Sequence, residues 1–138
     1  MLKPITLDEF KIPFWVRLLP FSKYSYIKKR INNIIISRCD HEVEDAWREV
    51  GISYGRITDI LNIIAKYCDW KSIKFIPSDE CSCVFMDYDL DLGAIVAISE
   101  IEESYQIKSK QLYEHLDPNS KLLKLIRFVL GELKEGVC

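Results

Sequence analysis

The stretch DLGAIVAISEIEESYQI, residues 91–107, decides how the fold is read. Leu92, Ile95, Val96, Ile98, Ile101 and Tyr105 recur three and four apart. That spacing lines one side of a helix. It predicts a helix over about 92–105 that buries those six side chains, with Glu100, Glu102 and Glu103 on its solvated side.

Outward from this helix the same period recurs. Upstream, Ile57, Ile60, Leu61, Ile64 and Tyr67 predict a helix from about Gly55 to Cys68. Between the two lie Ile73-Lys74-Phe75-Ile76, which alternates weakly and stops at Pro77, and an acidic loop over 78–91 with the apolar plug Cys83-Val84-Phe85-Met86. These two pieces allow one short strand pair. Earlier still, Ser22 is the expected N-cap of a helix carrying Tyr24, Ile27, Ile31, Ile34 and Ile35. Its run Ile34-Ile35-Ile36 is β-branched, so the last turn is open to an extended form. Asp40 is the expected cap of the next helix, with Val43, Ala46, Trp47 and Val50 on one side and Gly51 at its end. The segment to about Phe21 reads as irregular. Thr6-Leu7-Asp8-Glu9 fits a capping box, and Pro4, Pro13 and Pro20 bar one long helix. Downstream, a short turn at 109–116 holds Leu112, Tyr113 and Leu116, and Asp117-Pro118-Asn119 breaks the chain. Ser120 is the expected cap of a last helix with Leu122, Leu123, Leu125, Ile126, Val129, Leu130 and Leu133, stopped by Gly136.

The expected fold is therefore mostly α with at most a tiny β element. Residues 1–50 read as a helical N-terminal extension and 51–138 as a helical core, together one compact unit. The 138 residues suit one domain with a proper core. Hydrophobic residues make up 49% and charged residues 29%, the balance of a globular chain and not of a disordered one. No apolar run approaches the roughly 18 residues of a membrane span. Met1 is not followed by the basic, apolar and small-residue order of a secretory signal. The expected location is cytoplasmic, where thiols stay reduced. Cys39, Cys68, Cys81, Cys83 and Cys138 are odd in number and irregularly spaced, so they read as thiols and not as a disulfide framework.

The net charge of −2 hides a polarised chain. Between Lys74 and Lys108 lie eight acids and no base: Asp79, Glu80, Asp87, Asp89, Asp91, Glu100, Glu102 and Glu103. Between Glu9 and Asp40 lie seven bases and no acid: Lys11, Arg17, Lys23, Lys28, Lys29, Arg30 and Arg38. Single-sign fields govern partner choice and association rate, not fold. The acidic block reads either as a partner-binding surface or as one that is solvated or packed against the basic block. Asp89 and Asp91 also suit the start of a helix, where carboxylates meet amides and the favourable dipole end.

Residues from about Arg56 to Leu133 resemble acyl carrier proteins in helix order: a long first helix, a long loop, a second helix, a short third and a final one. Asp91-Leu92-Gly93-Ala94 is similar to the segment before their modified serine. Ile101-Glu102-Glu103-Ser104-Tyr105-Gln106-Ile107 is similar to the end of their second helix. The resemblance implies a four-helix core and an acidic second helix that docks on basic partners. The site of the prosthetic group departs from the family. One register puts Asp91 where the phosphopantetheine serine belongs, the other Ile95-Val96, and neither supplies a hydroxyl. Ser82 is too far upstream and Ser99 lies mid-helix. Carrier chemistry and its cofactor are accordingly not assigned.

Other chemistry is weakly signalled. Asp87, Asp89 and Asp91 open like a calcium loop, but its glycine falls at the seventh place, Gly93, and its twelfth is Ile98, not a glutamate. Cys81-x-Cys83 lacks the zinc spacer and a second close pair, and His41 and His115 are far away in sequence. No hydrolase signature flanks a nucleophile. Glu42 and Asp45 are spaced as a solvated helical face. Phe14, Trp15, Phe21, Tyr24 and Tyr26 interleave the bases of the 11–38 segment, a mixture that can stack on single-stranded nucleic acid or lie on an anionic membrane. The pI near 5.7 argues against the nucleic-acid reading. The function expected is non-catalytic protein binding through the eight acids, with no metal or cofactor. An immunity protein covering a basic toxin surface fits that class, and a carrier-like accessory protein without an arm is the alternative.

Overall fold

A computed structural model describes residues 2–7, 10, 22–86, 92–108, 112 and 120–131. Among them six helices appear: α1 (Ser22–Ser37), α2 (Asp40–Glu49), α3 (Tyr54–Cys68), the single turn α4 (Cys81–Val84), α5 (Leu92–Ser104) and α6 (Leu122–Val129). The fold is mostly α. Its β content among the described residues is one isolated antiparallel bridge, Glu80 with Lys121.

Helix α1 buries Ile27, Ile31 and Ile35, four residues apart and at most 1% exposed. The β-branched run stays helical through Ser37. Packing of an apolar face outweighs the weak propensity of those residues. In α2, Val43 and Trp47 are buried at one-turn spacing. Asp40 is its first helical residue and not its cap. Cys39 holds the cap position, and Asp40 and Glu42 fall in the first turn, where the dipole favours acids. The helix ends as expected at Gly51, whose φ of 80° suits a residue without Cβ. The Gly51 N–H reaches Arg48 O and the Ile52 N–H reaches Trp47 O, which closes the orphan carbonyls.

Helix α3 buries its stripe as expected: Ile57, Ile60, Leu61 and Ile64 are fully covered, while Tyr67 is half-buried. It packs chiefly against α5. There the expected face is partly right: Ile98 and Ile101 are buried as expected, but Ile95 and Val96 are not. Ile95 and Val96 are 48% and 38% exposed, and Ala94, Ala97, Ile98 and Ile101 form the buried stripe. Both sets are helically spaced, so periodicity alone leaves the face open. The set with two alanines lets the helix backbones approach more closely, and it is the buried one.

The expected strand pair does not form. Residues 72–76 run without strand pairing and Cys81–Val84 coil into α4. The reason lies in backbone accounting. Tyr54 Oη donates to Ile73 O at 2.6 Å, Arg38 Nη1 to Lys74 O at 2.9 Å and Trp47 Nε1 to Phe75 O at 2.8 Å. The Ile76 N–H donates to Asp79 Oδ2 at 2.8 Å. Side chains supply these partners, so the segment needs no neighbouring strand. Ser120 does not cap α6 either. Lys121 holds that position, while Ser120 O accepts the Cys81 N–H at 2.9 Å.

One buried cluster runs through the helices, from Ile5 and Ile27 by way of Trp47 and Ile64 to Ile126 and Val129. It takes residues from both 1–50 and 51–138. Residues 2–7 are fastened across it: the Ile5 N–H donates to Asp79 Oδ1 at 2.8 Å, and Ile5 O accepts the Glu80 N–H at 3.0 Å. Glu9, Tyr113, Leu116, Leu133, Gly136 and Cys138 lie outside the described residues. Cys68, Cys81 and Cys83 are buried thiols and Cys39 is exposed. No described helix is long and apolar enough to cross a membrane.

Candidate functional site

The two charge blocks meet inside the protein. Asp79 has no exposure, and its carboxylate accepts Arg38 Nη1 at 2.7 Å and Nη2 at 2.9 Å. The same two oxygens take the Ile5 and Ile76 amides. Arg38 also donates to Lys74 O and Lys3 O. A planar guanidinium on a carboxylate is a strong, directional pair. Here it ties the end of α1 to the N-terminal segment and to the turn before α4.

Two more acids of the block have internal work. Glu80 Oε2 accepts Ser82 Oγ at 3.2 Å and lies 3.5 Å from the Leu7 amide. Glu102 is 7% exposed and accepts the Leu112 N–H at 3.1 Å. Leu112 is itself buried, so Glu102 anchors the chain after α5 onto that helix. Asp87, Asp89 and Asp91 lie outside the described residues, and with them the opening of the calcium-like loop. Glu100 and Glu103 remain on the outer side of α5, Glu103 exposed and Glu100 partly so.

These two carboxylates share that side with Val96, Ser99 and Ser104 around a shallow depression. Ile95 adjoins it in sequence and is exposed in the same stretch. The combination is an apolar patch beside two acids. Glu100 also reaches α3: hydrogen bonding to it pushes the Tyr67 phenol above its ordinary pKa, with burial and the carboxylate charge adding and Lys66 opposing. Sequence reasoning put Ile95 and Val96 in the core. The signal for the alternative was present in the small residues Ala94 and Ala97.

The basic block divides the same way. Lys28 is fully buried. Its ammonium donates to Cys68 O and to Met86 O, and it sits 4.0 Å from the centre of the Trp70 ring. Arg38 is the buried partner of Asp79. Lys29 and Arg30 are exposed, and Arg30 lies over the rings of Phe10 and Tyr26 at 5.5 and 5.7 Å. The aromatics Phe14, Trp15 and Phe21, with Lys11 and Arg17, lie outside the described residues, as do the side chains of Lys23 and Tyr24. Among the described residues no three His, Cys, Asp or Glu side chains converge as a metal ligand set.

Comparison with protein families, with curated proteins and with solved structures returns no match for this chain.

Proposed function

We propose that the chain is a non-catalytic protein-binding module whose docking face is the outer side of α5. Within that class the best fit is an immunity protein that covers the basic surface of a toxin. The observation that carries the reading is the pairing of exposed Ile95 and Val96, 48% and 38% accessible, with Glu100 and Glu103 on one helix. Exposed apolar side chains rimmed by charge supply contact area, and the acids supply orientation and encounter rate. Asp87, Asp89 and Asp91 precede α5 in the chain and extend the same negative block in sequence. Asp79, Glu80 and Glu102 hold internal hydrogen bonds.

The test is affinity capture from the source cell with the wild-type chain and with a Glu100→Lys/Glu103→Lys variant. The reading expects a basic protein, identified by mass spectrometry, that the wild type retains and the variant loses. Capture of the same proteins by both would remove α5 as the docking face.

A second reading, a carrier-like accessory module without an arm, has one observation in its favour. Ile95 and Val96, which one register of the carrier resemblance aligns with the modified serine, are exposed near the start of α5. Intact mass after co-expression with a phosphopantetheinyl transferase is expected to stay unchanged, since neither side chain can form a phosphodiester. Its discriminating result is capture of biosynthetic enzymes and not of a toxin.

A further inference from the structure

A second surface, sharing no residue with the α5 face, has the form of a binding cleft. It encloses about 610 Å3 between the N-terminal segment, α2, the turn at 76–78 and the start of α6. Its apolar lining is Leu2, Pro4, Val50, Ile76, Pro77 and Leu123. Leu2, Pro4, Val50 and Leu123 are only half-buried, so this lining stays open to an occupant.

The wall on α2 is acidic. Glu42, Asp45 and Glu49, with Ala46 among them, face the cleft at helical spacing. Val43 and Trp47 of the same helix face the core. The helix thus has two working sides, one packed and one open. Asp45 is already engaged, by Arg48 at 2.7 Å and by His41 at 3.2 Å. Glu42 and Glu49 have no ion-pair partner among the described residues. Seven residues apart, they stand two helical turns from one another, roughly 10 Å along the axis. Lys121 is the one base among the described residues that line the cleft.

We infer that this cleft takes an amphipathic helix of another protein, laid beside α2, with Lys or Arg seven residues apart and Leu or Ile between them. A helix in a groove uses anchors one turn apart. Its apolar anchors fill the lining while its two cations meet Glu42 and Glu49. Charge decides the occupant: an acidic or neutral helix would leave both glutamates facing a dehydrated contact without a cation.

The probe is a synthetic alanine-based helical peptide of about 15 residues, long enough to form a helix. It carries two Lys seven apart flanking two Leu, and its control carries Glu in place of Lys. Titration into isotopically labelled protein is followed by amide shifts. The expected result is saturable shifts at Ala46, Val50, Ile76 and Leu123. The control peptide is expected to bind about tenfold more weakly, as two rim pairs of about 0.5–1 kcal/mol each require. Glu42→Gln/Glu49→Gln, surface changes that leave the core untouched, should weaken the lysine peptide by the same factor. Equal binding of the two peptides, or no binding, overturns the inference. So do shifts mapping to Val96 and Glu103, which would credit the α5 face instead. Concentration-dependent shifts at the cleft without peptide would assign it to a second copy of the chain and also overturn it.

Discussion

Arg38 and Asp79 join the two charge blocks of this chain at a buried, two-pronged ion pair, with contacts of 2.7 and 2.9 Å and side chains 3% and 0% exposed. The last base of the positive run meets the first acid of the negative run. Asp79→Ala would leave Arg38 buried without its counter-charge and release the Ile5 and Ile76 amides. Breaking one side of such a pair costs about 3–5 kcal/mol. Urea denaturation should show that loss, and hydrogen exchange should show the Ile5 amide unprotected. A loss below about 1 kcal/mol, the worth of a surface pair, would mean that the pair does not hold the N-terminal segment.

Lys28 is the second buried cation, set against the Trp70 ring and two carbonyls. Lys28→Met keeps an apolar stem of similar length but removes the donor. Cys68 O and Met86 O then lose that hydrogen bond, at about 1–3 kcal/mol each. The expected outcome is a destabilisation of about 2–6 kcal/mol, with a changed Trp70 signal in near-ultraviolet circular dichroism. A variant as stable as the wild type would assign Lys28 a passive place.

Tyr54 gives the fold an alkaline limit. Burial first, then the charges of Asp40 and Glu44, push its phenol up to about 12 from 10.0. The unfolded chain therefore ionises Tyr54 before the folded one does. The stabilisation is complete below pH 10 and is lost as pH rises from there through about 12. After allowance for solvent screening at a partly exposed ring, the loss is of order 1 kcal/mol. Denaturation at pH 9 and at pH 11.5 should show a steeper fall for the wild type than for Tyr54→Phe. Equal slopes would remove Tyr54 from the pH dependence.

Much of the helical fold was legible because strong periodicity coincided with burial. Ile57, Ile60, Leu61 and Ile64 read as a core stripe and are one. Gly51 read as a helix end and its left-handed backbone makes it one. What stayed hidden has a physical cause in each case. Helix α5 is apolar on more than one side, so spacing allowed Ile98 and Ile101 to be buried either with Ile95 and Val96 or with Ala94 and Ala97, and the closeness of the α3 contact decided for the alanines. The extended 73–76 segment looked like a strand because local sequence does not show that Tyr54, Arg38, Trp47 and Asp79 would satisfy its backbone. Charged residues are rarely buried unless paired. Packing of the acidic block against the basic one was one reading of the sequence, but nothing in it singled out Lys28, Arg38, Asp79 and Glu102 as the buried ones. Apart from Ile76, three residues before Asp79, the partners named above lie 10 to 74 residues away. The acidic block was visible as a block, but its division into structural acids and outward acids was not.

The direct test of the central claim concerns the outward acids alone. Glu100→Lys/Glu103→Lys is expected to cost no more than about 1.5 kcal/mol, the worth of one hydrogen bond, and to leave the protein folded. The bond it removes is the one between Tyr67 and Glu100. Isothermal titration of both proteins with the captured partner, at low and at high salt, then isolates binding. The account predicts an affinity at least about tenfold weaker in the variant and a flatter salt dependence, because the steering charge has been reversed. Unchanged affinity with an unchanged salt slope would contradict it and show that the α5 face is not where a partner binds.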